Sequence, residues 1–174
     1  MKLLACPKCH QQLHLENKTL KCENNHCYDI SKRGYINLLL NPDKATNNPG
    51  DSKESLVARK AYLNKGYYDP ILNQVITCID EFKHQDDLSI LDLGCGEGYY
   101  TQGLKKHFEN SDIYGLDISK IAIDMATRYR KDVTWLVGNS KNIPILDHSL
   151  DFICALFTVV NQDELKRALK EDGY

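Results

Sequence analysis

A chain of 174 residues, with 22 Lys and Arg against 24 Asp and Glu and a net charge of −2, holds one modest domain or a small domain plus part of a larger one. The balanced charge excludes a bulk polyanion binder and leaves room for a local basic patch. No apolar run approaches the ~20 residues that span a bilayer, and Met1-Lys2-Leu3-Leu4-Ala5-Cys6 lacks the long apolar stretch of a signal peptide, so a cytoplasmic location without membrane is expected.

Seven cysteines, four of them before residue 28, are too asymmetric for a secreted disulfide framework and in a reducing environment read as metal ligands. Cys6-Pro7-Lys8-Cys9 is a C-x2-C knuckle, and Cys22-Glu23-Asn24-Asn25-His26-Cys27 follows it. Two such pairs, separated by a short hairpin-like stretch, converge on a tetrahedral zinc, with His26 or Cys27 as the fourth ligand. Strand-like pieces over 13–15 and 19–21, joined at Glu16-Asn17-Lys18, form the ribbon. A module of about 40 residues buries little core, so metal supplies part of its folding energy. His10 and His14 read as solvated residues. Cys78 and Cys154 sit in apolar runs and read as small buried side chains, and Cys95 as a compact turn residue. Residues 28–38 mix aromatics with cations, which suits stacking on an exposed nucleotide strand and equally suits packing of the small module.

Asn41-Pro42-Asp43-Lys44-Ala45-Thr46-Asn47-Asn48-Pro49-Gly50 is rich in turn formers and marks a linker. Asp51 or Ser52 then offers an N-cap for a helix through residues 55–63, which Gly66 stops. Tyr67-Tyr68-Asp69-Pro70 leads into a second helix, 71–82, with Ile71, Leu72, Val75, Ile76 and Ile79 on one face. These helices are expected to close over the turn that follows. That puts Tyr67 or Tyr68 against a bound cofactor or, equally, in helix packing.

From Leu88 the pattern alternates: strands at 88–91, 113–116, 133–137 and 150–157, with helices at 100–108 and 120–129. Such alternation gives an α/β, Rossmann-like parallel sheet covered by helices, with its ligand beyond the carboxyl ends of the strands. Asp92-Leu93-Gly94-Cys95-Gly96-Glu97-Gly98 lies between the first strand and helix, where glycines bring a ligand close to bare backbone N–H groups. Asp117, about twenty residues on, suits a ribose hydroxyl. A dinucleotide fingerprint is Gly-x-Gly-x-x-Gly and seats a pyrophosphate. Here Asp92 and Glu97 would repel a pyrophosphate but hold the ammonium group of a methionine moiety. The cofactor expected is therefore S-adenosylmethionine rather than NAD or ATP. Asn139, after the third strand, is either an adenine contact or a polar turn residue.

These motifs together resemble the bacterial 23S rRNA (guanine-N1)-methyltransferase family, a zinc-containing group related to macrolide resistance. The resemblance rests on Cys6, Cys9, Cys22 and His26; on Gly34-Tyr35-Ile36-Asn37-Leu38-Leu39; on Gly50-Asp51-Ser52; on Gly66-Tyr67-Tyr68; and on Asp92 to Thr101 with Gly115-Leu116-Asp117-Ile118-Ser119-Lys120. It covers essentially the whole chain. It implies a zinc-binding RNA-recognition module over 1–38, a linker over 39–54 and a donor-binding methyltransferase domain over 55–174. It favours His26 as the fourth zinc ligand and places Tyr68, Glu97 and Gly98, with Asp92, Gly94, Gly96, Asp117 and Asn139, around the donor.

The implied partner is a 23S rRNA hairpin. The implied reaction is in-line methyl transfer to guanine N1 of a base turned out of its stack, with no general base named and homodimerisation left open. The family carries a small residue and proline after the fourth strand, where this chain has Thr158-Val159. By the same resemblance the sequence stops in the turn before a fifth strand, leaving the fourth as an exposed apolar edge. Two other functions compete: a zinc- and RNA-binding remnant without turnover, and a small-molecule methyltransferase.

Overall fold

The computed structural model describes residues 1–40 and 50–174. Most of the expected linker, residues 41–49, lies outside the described residues. The amino-terminal ribbon is a three-stranded antiparallel sheet of β1 (His14–Glu16), β2 (Thr19–Lys21) and β3 (Cys27–Asp29). Glu16 pairs with Thr19 across a two-residue loop, with Asn17 at φ 60. Asn tolerates the left-handed backbone that so tight a hairpin needs.

β4 (Ile36–Asn37) leaves the ribbon and pairs in parallel with β7 (Thr134–Val137), Ile36 against Leu136. The segment expected to finish the zinc module thus supplies one edge of the large sheet. Tyr35 and Ile36 are buried there, so for these residues packing is the reading that holds. A second seam runs through Leu4 and Ile145, with Ala5 N–H donating to Pro144 O at 3.0 Å. Leu4, Leu13 and Leu20 of the ribbon share one core with Leu91, Leu116, Leu136 and Ile143. The ribbon is too small to build a core of its own and uses this one.

The large sheet has the order β4-β7-β6-β5-β8, all parallel, with β5 (Ser89–Leu93), β6 (Asp112–Asp117) and β8 (Phe152–Cys154). Its inner strands are largely apolar because helices or the ribbon cover both faces. Ser52, one of the two expected caps, accepts the Ser55 N–H at the start of α1 (Lys53–Leu63). α2 (Asp69–Phe82) has its proline in the first turn, where no hydrogen bond is lost. α3 (Tyr99–His107) and α4 (Lys120–Ala126) are the crossover helices.

The carboxyl end departs from expectation. β8 is far shorter than 150–157, and Phe157, at φ 58, turns the chain out of the extended conformation. A further helix, α5 (Gln162–Ala168), follows, capped by the Asn161 side chain. Nor is the edge bare along its first half. Tyr174 N–H donates to Asp151 O at 2.9 Å and Ile153 N–H to Tyr174 O at 2.8 Å, while the Tyr174 ring stacks on Phe152. Beyond Ile153 an apolar groove of about 650 Å³ opens between α2 and β8, lined by Ile71, Val75, Cys78, Phe82 and Leu156. Cys78 lies on this groove and is exposed, contrary to the burial expected of it, whereas Cys95 and Cys154 are buried. Among the described residues no helix is long and apolar enough to cross a membrane.

Candidate functional site

The ribbon brings Cys6, Cys9, Cys22 and His26 together, their ligand atoms all within 4.8 Å of one another. His26 Nδ1 stands 3.4 Å from Cys6 Sγ and 3.5 Å from both Cys9 Sγ and Cys22 Sγ; Cys9 and Cys22 are 3.7 Å apart. A tetrahedron with Zn–S of about 2.3 Å and Zn–N of about 2.05 Å has edges of roughly 3.6 Å (S to N) and 3.8 Å (S to S). The spacing fits zinc with no open position, the mark of a structural site. Each knuckle closes on the carbonyl of its first cysteine, Cys6 O accepting His10 N–H four residues on and Cys22 O accepting Asn25 N–H three residues on, with His10 and Asn25 each at φ 58. Cys27 begins β3, is exposed, and its thiol donates to Asn25 O; strand pairing directs it away from the cluster. His10 and His14 are exposed, as expected. Hydrogen bonding, chiefly from the Gln11 backbone, brings the Cys9 thiol down to about 6. Tyr28 Oη lies 3.3 Å from Cys6 Sγ, placed to donate to a thiolate.

The second cluster lies at the carboxyl ends of β5, β6 and β7. Gly94, Gly96 and Gly98 all have positive φ. Gly98 is the N-cap of α3, and a Cβ there would stand 2.6 Å from the Trp135 ring. A Cβ on Gly94 would meet Thr158 Cβ at 2.5 Å, so the residue that departs from the family's proline borders the turn. Asp117 braces the loop, accepting Gly96 N–H at 2.9 Å and Ser119 N–H at 2.7 Å. Burial raises its pKa in spite of these bonds. Asp92, 1% exposed, accepts the Thr101 hydroxyl. Burial, with the charges of Asp117 and Glu97 adding to it, lifts Asp92 to about 7 against the pull of that hydroxyl.

Glu97 is 2% exposed, and its Oε2 has no hydrogen bond; neither has the buried Tyr100 hydroxyl, whose pKa is raised by burial and touched by the charges of Arg59, Asp92 and Glu97. Two such orphans in one place call for a polar ligand. Tyr68, half-buried at the start of α2, meets the exposed Phe157 edge to face at 6.1 Å. Asn139 follows Gly138, whose N–H donates to Asp117 O, and Asn139 Oδ1 accepts Lys141 N–H at 3.0 Å. Asn139 thus shapes a turn at the rim beside Asp117.

Residues 4–45 match the family profile described as RlmA, N-terminal, a zinc ribbon, and residues 90–172 that of the Methyltransferase domain. Over 99% of its length the chain is 29% identical to a 23S rRNA (guanine(748)-N(1))-methyltransferase of Streptomyces fradiae and covers 61% of that protein. It is 30% identical to "Putative 23S rRNA (guanine-N(1)-)-methyltransferase YxjB" of Bacillus subtilis, over 98% of this chain and 62% of the relative. Over nearly its whole length the chain is similar to proteins named as 23S rRNA guanine-N1 methyltransferases. It spans about three fifths of the length of these relatives. A TehB-like S-adenosylmethionine-dependent methyltransferase of Corynebacterium glutamicum superposes with a TM-score of 0.53 at 26% identity, over 69% of this chain and 68% of its own. DesVI of Streptomyces venezuelae shares the fold, with a TM-score of 0.55 at 19% identity over 71% and 56%. The fold is that of S-adenosylmethionine-dependent methyltransferases, and the ligand set of the RlmA-type ribbon suits Zn²⁺.

Two residues of the cluster have no sequence signal that singles them out: Arg59 and Phe157. Both reach the turn only through tertiary packing. Tyr100 belongs to the Asp92 to Thr101 motif, and its unpartnered hydroxyl marks it within the cluster.

Proposed function

We propose that this chain is the zinc-bearing, donor-binding part of an enzyme that methylates N1 of a guanine in 23S rRNA. The observation that carries this reading is the buried Glu97 carboxylate, whose Oε2 makes no hydrogen bond, in the turn that Asp117 braces, on a fold that also presents the Cys6, Cys9, Cys22 and His26 cluster. A group that is part cation and part nucleoside satisfies the cluster at the glycine turn. Glu97 would hold the ammonium group of the methionine moiety and Asp117 the ribose hydroxyls. Tyr68 and Asn139 would border the sulfur and adenine ends, with Gly94, Gly96 and Gly98 giving the backbone its close approach. When bound, S-adenosylmethionine supplies an electrophilic methyl group. The chain's part is to exclude water, to hold the donor's charged end among Asp92, Glu97 and Asp117, and to present one open side to the base.

In this reading residues 1–38 recognise an rRNA hairpin, 39–54 connect, and 55–174 carry the donor, all within the cytoplasm where rRNA is modified. Methyl transfer from labelled donor to a 23S rRNA fragment, mapped by a primer-extension stop at one guanine, tests it. Absence of donor binding by calorimetry would overturn it. The open groove beside β8 favours a second reading, a zinc- and RNA-binding unit that binds the donor without turnover. It predicts donor and RNA affinity with no methylated product at saturating donor.

A further inference from the structure

We propose that Arg59 reads the amino-acid carboxylate of the donor while Glu97 holds the ammonium group beside it. The inference rests on the donor-site reading above and names the residue that completes it. Arg59 projects from α1, a helix fixed by its Ser52 cap. Its Nε lies 3.9 Å from Glu97 Oε2 and its Nη1 3.8 Å from Asp51 Oδ2. The guanidinium carbon comes within 3.9 Å of where a Cβ on Gly96 would sit, so the fork lies directly over the glycine turn. Its charge also opposes the rise in the Asp117 pKa. Among the described residues it is the cation ion-paired with an acid of this turn.

These separations are too long for hydrogen bonds. An arginine with five donors therefore stands close to two carboxylates without engaging either as a bidentate partner. A site made only of Asp92, Glu97 and Asp117 attracts an ammonium group and repels the carboxylate carried on the same carbon. The donor needs both groups met. A planar guanidinium over the turn matches a carboxylate bidentately, which a lysine cannot. The orphan Glu97 oxygen then receives the ammonium from the other side.

The test compares S-adenosylmethionine with its decarboxylated form, which keeps the sulfonium and an amine and lacks only the carboxylate, by calorimetry on the 174-residue chain loaded with zinc. Arg59→Ala is expected to weaken S-adenosylmethionine roughly 10- to 100-fold and the decarboxylated form less than about twofold. Arg59→Lys, which keeps the charge, is expected to melt as the parent does and to recover only part of the loss. Equal weakening of both ligands would make Arg59 a mere neutraliser of the turn and overturn the assignment. So would unchanged S-adenosylmethionine affinity in Arg59→Ala. If the parent chain binds neither ligand, the donor-site reading itself fails and the Arg59 assignment with it.

Discussion

Asp92 carries a large electrostatic consequence for a single side chain. It is fully enclosed, and its carboxyl titrates near 7 in the folded chain instead of near 3.8. Between those pH values the folded state holds a proton that the unfolded chain has released, so stability falls as pH rises from about 4 to 7 and levels off above. Asp92→Asn removes that slope. The variant is expected to be more stable than the parent at pH 8, by on the order of a few kcal/mol, and to match it near pH 4. Urea denaturation at both values checks this; a gain independent of pH would refute it. Gly98 carries a steric consequence instead. With φ at 87 and Trp135 at 2.6 Å from a new Cβ, Gly98→Ala meets both backbone strain and overlap. It is expected to cost at least about 1–3 kcal/mol, seen as a lowered denaturation midpoint.

Among elements, α5 shows how a short helix becomes indispensable. Arg167 donates to Ile143 O, Ile145 O and Asp147, and Glu164 accepts Ile143 N–H at 2.7 Å while pairing with Arg167. One ion pair thus satisfies the backbone of the 143–147 loop, and that loop in turn bonds to Leu3 and Ala5 of the ribbon. Arg167→Ala leaves two carbonyls and the Glu164 carboxylate without these partners. It should cost about 2–4 kcal/mol, and hydrogen exchange should quicken at Ala5 and Leu146 before it does in β5.

Most of what the sequence makes legible at this scale is local. The two knuckles, the Asn17 hairpin and the glycine turn each announce themselves in a few adjacent residues, because tight turns restrict residue type. The pairing of Ile36 with Leu136 joins residues a hundred positions apart, and nothing local marks it. β8 proved shorter than its apolar run: its pairing with β5 ends at Cys154, and the chain has turned out of the extended conformation by Phe157. Asn161 with Asp163, Glu164, Lys166 and Arg167 is a readable helix signal, weaker than the apolar run before it. Arg59 has no local signal, because a cation on a helix is ordinary until the fold brings it over two acids.

For the whole molecule, the two ends of the sheet behave differently. The β4 edge is welded to the ribbon, while the β8 edge opens on an apolar groove that exposes Cys78. Brief treatment of the zinc-loaded chain with a maleimide should modify Cys27 and Cys78 and spare Cys95 and Cys154, as peptide mass mapping would show. Protection of Cys78 would mean that the groove is covered in solution. Zinc removal should reach further than the ribbon, because Leu4, Leu13 and Leu20 lie in the same core as Leu91 and Leu136. A chelator is expected to lower the melting temperature of the entire chain in one transition; two separate transitions would contradict the shared core.

The pairing of β4 with β7 also ties two binding equilibria together. Val137, at the carboxyl end of β7, is held on one side by Asn37 and on the other by Asp117, one seam between the metal cluster and the proposed ribose contact. A ligand that steadies one side of such a seam lowers the free energy of order on the other, and linkage makes the effect mutual. Zinc should therefore be held more tightly when the nucleoside site is filled, by the same factor as zinc tightens the nucleoside. Competition against a chromophoric chelator, with and without S-adenosylhomocysteine, measures that factor directly, and a value of one would show that the seam transmits nothing.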